Sequence, residues 1–157
     1  MVIVEVEGKT VRLGSVRDQI YSLEDEQGWQ YHWNVTEGLR LAQSRGGLLL
    51  FSPAEHDITL EVIRSAYIGL NELYALTTDL SRPLLFVRLN GQSQLADGWH
   101  RLFRAVVTGA SCLPAYVLTE AESEAILVFR FPPGQGLDWG QEQSVAATSD
   151  LEERRAS

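Results

Sequence analysis

The chain has 157 residues, of which 45% are hydrophobic and 22% charged, a length and composition that suit one globular domain with its own core. Its 13 Lys and Arg against 21 Asp and Glu leave a net charge of -8. That balance weighs against whole-surface binding of DNA or RNA, which relies on neutralising phosphates, and leaves open one local basic pocket for a small anion. Cys112 is the only cysteine, which excludes an intrachain disulfide and a cysteine-based zinc site. Met1-Val2-Ile3-Val4-Glu5 carries no basic leader, and no apolar run approaches the ~20 residues of a membrane helix. A soluble, cytoplasmic protein without membrane association is the expectation.

Val2, Val4 and Val6 alternate with Glu5 and Glu7, the period of a strand. Gly8-Lys9 turns the chain, and Thr10 to Leu13 returns as the second arm of a hairpin. Ser15, with Asp18 three residues on, predicts a helix start. Val16, Ile20 and Leu23 form its buried stripe, and Gly28 ends it. Trp29, Tyr31 and Trp33 alternate with Gln30 and His32, a short strand with an aromatic face that serves as core or as a partner patch. Asn34 and Glu37 open a second helix, which runs to Arg45 and stops at Gly46-Gly47. Leu48-Leu49-Leu50-Phe51 is a continuous apolar run, as expected of a strand buried on both faces.

Asp57 or Thr59 caps a longer helical pattern carried by Ile63, Tyr67, Leu70 and Tyr74, with a break at Gly69 and a restart at Asn71. Ser81-Arg82-Pro83 opens a strand in which Leu85, Val87 and Leu89 alternate. Asn90-Gly91 is the best hairpin signal in the chain, and residues 92 to 97 return. His100 to Thr108 is a helix closed by Gly109, with Leu102, Phe103, Val106 and Val107 as its apolar face. Leu113 to Leu118 is a strand in which Pro114 belongs near the start or on an edge. Thr119 and Glu122 begin a short helix through Leu127. The order of elements predicts an α+β fold: a single compact domain with a mixed β-sheet flanked by helices. Residues 1–45 are an N-terminal hairpin and helix addition, 46–131 the core, and 132–157 a mobile tail in which Leu137 and Trp139 are the residues able to dock.

One stretch concentrates the chemistry: Leu95-Ala96-Asp97-Gly98-Trp99-His100-Arg101-Leu102-Phe103-Arg104-Ala105. It sits at a strand-to-helix turn, where unpaired N–H groups and the helix dipole favour an anion. Gly98 permits a tight turn and a close ligand. Arg101 offers a planar fork for phosphate oxygens, and Arg104 shares its helix face. His100 can donate or accept a hydrogen bond. Asp97 is suited to orient an arginine, bind a ribose hydroxyl, hold magnesium or cap the helix. The plainer alternatives are that Asp97 is an N-cap, that Trp99 and Phe103 are core, and that Arg101 and Arg104 pair with Glu120 or Glu122.

This stretch, followed by Gly109 and Leu113-Pro114-Ala115-Tyr116-Val117-Leu118-Thr119, resembles the signature of the ParB/sulfiredoxin superfamily: a strand, an Asp-Gly-x-His-Arg turn, a helix ending in Gly, and a strand opening with an apolar-Pro pair. The resemblance covers residues 48 to 128, about half the chain; residues 1 to 45 have no recognised counterpart. It implies a ParB/sulfiredoxin-like core that holds the phosphates of ATP, ADP or CTP, with Mg2+, through Gly98, Trp99, His100, Arg101 and Arg104. Asp97 and His100 are then the catalytic candidates for phosphate hydrolysis or transfer, and His56, Arg64 and Ser65 a second wall. In the superfamily a sulfiredoxin carries its reactive cysteine between the motif's Gly and His. Here that place is Trp99, which excludes sulfiredoxin thiol chemistry. The partition proteins show Gly-Glu-Arg-Arg in the turn and continue into a helix-turn-helix domain; this chain is acidic and ends too soon for one, so DNA is not the expected partner. A kinase-like member needs a carboxylate base, for which Glu37, Glu55, Asp57 and Glu61 are candidates.

Two other readings stand beside this one. A non-catalytic accessory module would keep the fold and make a homodimer or protein interface through its N-terminal region. A nuclease or DNA-associated protein is the third, since some members of the superfamily are described as nucleases. His32, His56 and His100 have no metal-ligand spacing, and no metal site is expected beyond a nucleotide-associated magnesium.

Overall fold

The computed structural model describes residues 2–6, 9–13 and 18–137. Strands β1 (Val2–Val6) and β2 (Lys9–Leu13) form an antiparallel hairpin. Strand β3 (Ile20–Glu24) follows, then β4 (Gln30–Asn34) and helix α1 (Val35–Arg45). Next come β5 (Leu49–Phe51), a 3-10 turn at Ala54–His56, α2 (Leu60–Ala66) and α3 (Glu72–Ala75). The chain continues through β6 (Leu84–Leu89), β7 (Gln92–Asp97), α4 (Trp99–Thr108) and β8 (Leu113–Val117), and ends with α5 (Glu120–Ala125) and β9 (Leu127–Phe131).

The fold is α+β. Its main sheet has the order β5-β8-β6-β7 and is mixed, with β8 antiparallel to β5 but parallel to β6. A second, antiparallel sheet has the order β3-β4-β9. The main sheet is packed on both faces. Leu85, Val87 and Leu118 point into a first core with Trp33, Tyr31, Val35 and Ile126. Leu84, Ala115 and Leu113 point the other way, into a second core with Ile63, Leu102, Phe103 and Ala105. Alternation of side chains along each strand dictates this division.

Local signals in the sequence mark many of the boundaries. Asn34, Thr59, Asn71 and Thr119 each accept a backbone N–H at the start of a helix, and Thr119 with Glu122 completes a capping box. Asn90 and Gly91 both take positive φ, 52° and 77°, which matches the right-handed twist of the β6–β7 hairpin.

Four expectations are corrected. Ile20 and Leu23 lie in a strand, not a helix; Ser15 and Val16 are outside the described residues. Pairing with β4 decides this, because Tyr21 stacks on Trp33 at 5.8 Å and Trp33 on Tyr31 at 5.7 Å, a cross-strand aromatic ladder that outweighs a helical reading. The last helix stops at Ala125, and Leu127 to Phe131 forms β9 against β4. Leu48 to Leu50 are exposed rather than buried, because β5 is the outer strand of its sheet. Val107, expected on the apolar face of α4, is also exposed; the buried positions of α4 are His100, Arg101, Leu102, Phe103 and Ala105.

Residues 18–45 are integral to the packing. β4 pairs with β9, and α1 contributes Val35 and Ala42 to the first core. Gln30 donates from Nε2 to Leu137 O at 2.6 Å and accepts the Leu137 N–H at 2.8 Å, which docks the segment after β9. Trp139 lies outside the described residues. No helix among the described residues is long and apolar enough to cross a membrane.

Candidate functional site

Asp97 ends β7 and Gly98 opens α4 in a left-handed conformation, φ 108° and ψ 20°. A Cβ at Gly98 would overlap Leu84 Cδ2 and lie 3.0 Å from Arg101 Nη2. Both the backbone conformation and the space therefore require glycine. The Leu102 N–H donates to Gly98 O at 2.8 Å to start the helix. Among the described residues α4 alone of the α-helices has no side-chain acceptor at its N-cap. A helix start carries a partial positive charge and N–H groups that lack partners within the helix.

The side chains beside this turn face inward. Arg101 Nη2 donates to Asp97 Oδ2 at 3.0 Å and to Pro83 O at 3.3 Å. Gln19 Nε2 donates to Asp97 Oδ1 at 3.2 Å. Asp97 and Arg101 are 3% and 1% exposed. The pair joins the strand end, the first turn of α4, the entry to β6 and the segment before β3. Removing two charges from water is expensive, and the attraction between them repays it only with good geometry and further hydrogen bonds.

His100 is fully buried. Its Nε2 accepts the Asn71 N–H at 3.0 Å, so Nε2 carries no proton in this arrangement. Tyr74 and Tyr67 approach its ring edge-on, at 4.9 and 5.7 Å. Trp99 stacks on Tyr67 at 5.4 Å with the rings 5° from parallel, and its Nε1 donates to Leu95 O at 3.1 Å. Arg104 donates to Thr78 O. Residues 67 to 78, which include α3, therefore form a cover over the first two turns of α4.

The structure brings together Asp97, Gly98, Trp99, His100, Arg101 and Arg104. The expected second wall does not assemble as a unit. Arg64 reaches α4, its guanidinium 5.6 Å from the centre of the Phe103 ring, while it is paired with Glu72 at 2.8 Å. Ser65 is exposed on α2. His56 is exposed beside β5, where it stacks on Phe51 at 4.6 Å. Of the carboxylates considered as a base, Glu37 pairs with Arg40, and Glu55, Asp57 and Glu61 are exposed. Arg101 and Arg104 do not pair with Glu120 or Glu122: Glu122 binds Arg45 at 2.6 Å, and Glu120 accepts the Gly91 N–H. Asp97 is not the N-cap, a place taken by Gly98.

No protein-family model, curated protein or solved structure matches the chain.

The residues that sequence reasoning missed are those holding the motif from outside it: Gln19, Asn71, Thr78, Pro83 and Leu84. Asp97 and Arg101 are separated by four positions, the spacing of a helical ion pair, so that one contact was open to detection. Gln19 acts across 78 positions and left no local signal. A cleft of about 420 Å3 lies away from the motif, between the β3–β4 turn and the Asn90-Gly91 hairpin, lined by Glu24, Asp25, Glu26, Asn90, Gln92 and Gln94. Among the described residues no group of three or more His, Cys, Asp or Glu is disposed to hold a metal.

Proposed function

We propose that this chain is a small binding module that takes the phosphate of a nucleotide or similar ligand at the start of α4, with residues 67–78 as a cover that must shift to admit it. The observation that carries the reading is the helix start at Gly98 without a side-chain cap, where every other α-helix among the described residues is capped by a side chain. Anions suit such a terminus, and the resemblance of Asp97-Gly98-Trp99-His100-Arg101 to the ParB/sulfiredoxin motif points to the same ligand class. Arg104, half-buried and bonded to the cover through Thr78 O, is the side chain best placed to exchange that carbonyl for a phosphate oxygen when the cover moves.

The proposal is for binding rather than catalysis. Asp97 and His100 hold the motif together: one carboxylate oxygen accepts from Gln19 and the other from Arg101, and His100 Nε2 accepts from Asn71. In this role they are positioning residues. Asp97 does not fit a magnesium ligand, since both oxygens already accept hydrogen bonds and the group is shielded from water. No step through a metal is derived.

Calorimetry with ATP, ADP, CTP and inorganic phosphate tests the reading, with and without magnesium. Saturable binding that weakens about tenfold or more in Arg104→Ala, as expected for loss of a charge-assisted hydrogen bond, supports it. Absence of heat with every ligand sinks it. A second reading is favoured by the bonds of Asp97, His100 and Arg101 within the chain: a purely structural clasp in a non-catalytic accessory module. It predicts no ligand response and a large loss of stability when the clasp is broken.

A further inference from the structure

Side-chain alternation along β4 turns Gln30, His32 and Asn34 to the face of the second sheet opposite Trp33, and Gln30 and His32 are 4% and 3% exposed. The segment after β9 crosses this face. A Cβ at Gly136 would lie 2.4 Å from the Gln30 amide, and one at Gly28 would lie 3.2 Å from Pro133. Phe131 meets the His32 ring edge-on at 5.8 Å. Residues 132–137 thus run as a strap over the start of β4, tied down by the two bonds between Gln30 and Leu137.

The tie fixes the protons of His32. Only Nε2 of Gln30 can donate to Leu137 O, and only Oε1 can accept the Leu137 N–H. Oε1 is therefore the atom 3.3 Å from His32 Nε2, and an acceptor there requires Nε2 to carry the proton of the neutral ring. Nδ1 is left to accept from the Ser22 hydroxyl at 2.7 Å, and it is the atom that takes a second proton.

Burial holds the His32 pKa below its ordinary 6.5. The charged groups on the adjoining elements have their own places. Before β3, Asp18 accepts from Asn34 Nδ2 at 3.1 Å. On β3, Glu24 lies opposite Gln30 and is exposed. In the β3–β4 turn, Asp25 accepts the Gln27 and Trp29 N–H groups. On β9, Arg130 lies over Tyr31 on the other face and pairs with Glu124. The neighbouring β2 carries Lys9 and Arg12. Residues 132–137 contain no ionisable side chain, and Asp138 follows them in sequence.

We propose that residues 132–137 are a proton-sensitive strap, docked on Gln30 while His32 is neutral and released when His32 becomes charged. Two effects act in the same direction. A buried imidazolium lacks the hydration that release of the strap restores. A charged Nε2–H also bonds Oε1 more strongly, which draws Gln30 away from the Leu137 N–H. The released form binds the proton more readily than the docked form, so by linkage the proton favours release. The docked strap dominates above pH 6.5 and is lost as pH falls through the docked-state value of His32.

NMR of the full chain from about pH 7.5 to about pH 5, the range in which histidine titrates, tests this. In the wild type the Gly136 and Leu137 amide signals are expected to move from docked to released positions, with the midpoint of the His32 ring signals. His32→Gln is expected to hold the two amides in place throughout. Gly136→Ala, whose Cβ displaces the Gln30 amide and leaves His32 intact, is expected to show the released signals at every pH and a His32 midpoint moved toward 6.5. A wild type whose Gly136 and Leu137 signals stay docked across the range overturns the proposal, whether or not His32 titrates. So do strap signals that titrate in His32→Gln as in the wild type, or a His32 midpoint unmoved in Gly136→Ala.

Discussion

Arg101 and Asp97 form an ion pair across the first turn of α4, Nη2 to Oδ2 at 3.0 Å, with both side chains shielded from water. Breaking one side strands a buried charge. Asp97→Asn is expected to destabilise the fold by about 3–5 kcal/mol, the cost of leaving an uncompensated buried partner. Replacing both, as Asp97→Leu with Arg101→Met, is expected to recover part of that loss, since well-packed apolar groups often substitute for a buried pair. Urea denaturation of Asp97→Leu alone, Arg101→Met alone and the double variant closes the cycle and measures the coupling. Simple addition of the single effects would show that the pair is not coupled.

Gly98 and Gly109, at the two ends of α4, are both left-handed, φ 108° and 73°, but only Gly98 is crowded. A Cβ at Gly98 meets Leu84, and one at Gly109 meets nothing within 4 Å. Gly109→Ala is expected to cost the backbone strain alone, about 1–2 kcal/mol. Gly98→Ala adds the overpacking of a filled core, about 1–3 kcal/mol more. Thermal unfolding is the check, and an equal fall in Tm for the two variants contradicts the close approach.

Burial lowers the pKa of His32 from its ordinary 6.5. Its Nδ1 lies 2.7 Å from Ser22 Oγ, and its Nε2 lies 3.3 Å from Gln30 Oε1. The folded state binds this proton less readily than the unfolded chain does. The stability it contributes is therefore complete above pH 6.5 and is lost as pH falls from there through the folded value. Between pH 7.5 and 5 the wild type is expected to lose stability, and His32→Gln to lose less. Parallel denaturation curves at the two pH values check it; identical pH dependence in both proteins would exclude His32 as the source.

The Gln30 amide is buried and makes reciprocal hydrogen bonds with the backbone of Leu137. Gln30→Ala removes both partners. The Leu137 amide is expected to exchange with solvent faster by about tenfold, the equivalent of roughly 1.4 kcal/mol and within the worth of one such bond. Unchanged exchange at Leu137 would mean that other contacts hold the segment after β9.

Features written in a few adjacent residues were legible from sequence. Asn34, Thr59, Asn71 and Thr119 cap helices, Asn90-Gly91 turns the hairpin, and Gly109 ends α4 in the left-handed conformation. Features set by distant partners were not. Ile20 to Glu24 becomes a strand because β4 lies beside it, and Leu127 to Phe131 because β4 has a second free side. Leu48 to Phe51 has the composition of a central strand, and only the strand order puts it at the edge. At the site, the strand-to-helix turn and the clustering of Asp97 to Arg104 could be read from the motif. The inward direction of Asp97, His100 and Arg101 could not, because it depends on Gln19, Asn71 and Pro83, which come from three other parts of the chain.

The most direct test of the proposed function is a titration followed by the backbone amide NMR signals of the 15N-labelled chain, using ATP, CTP and inorganic phosphate in turn. Binding at the start of α4 predicts saturable shifts that are largest at Gly98, Trp99, His100 and Arg101, accompanied by shifts at Asn71 and Thr78 as the cover moves. Amide signals of these residues that stay in place with all three ligands, at concentrations of several millimolar, the weak end of specific affinity, would contradict the phosphate site and leave the Asp97–Arg101 pair as a structural clasp.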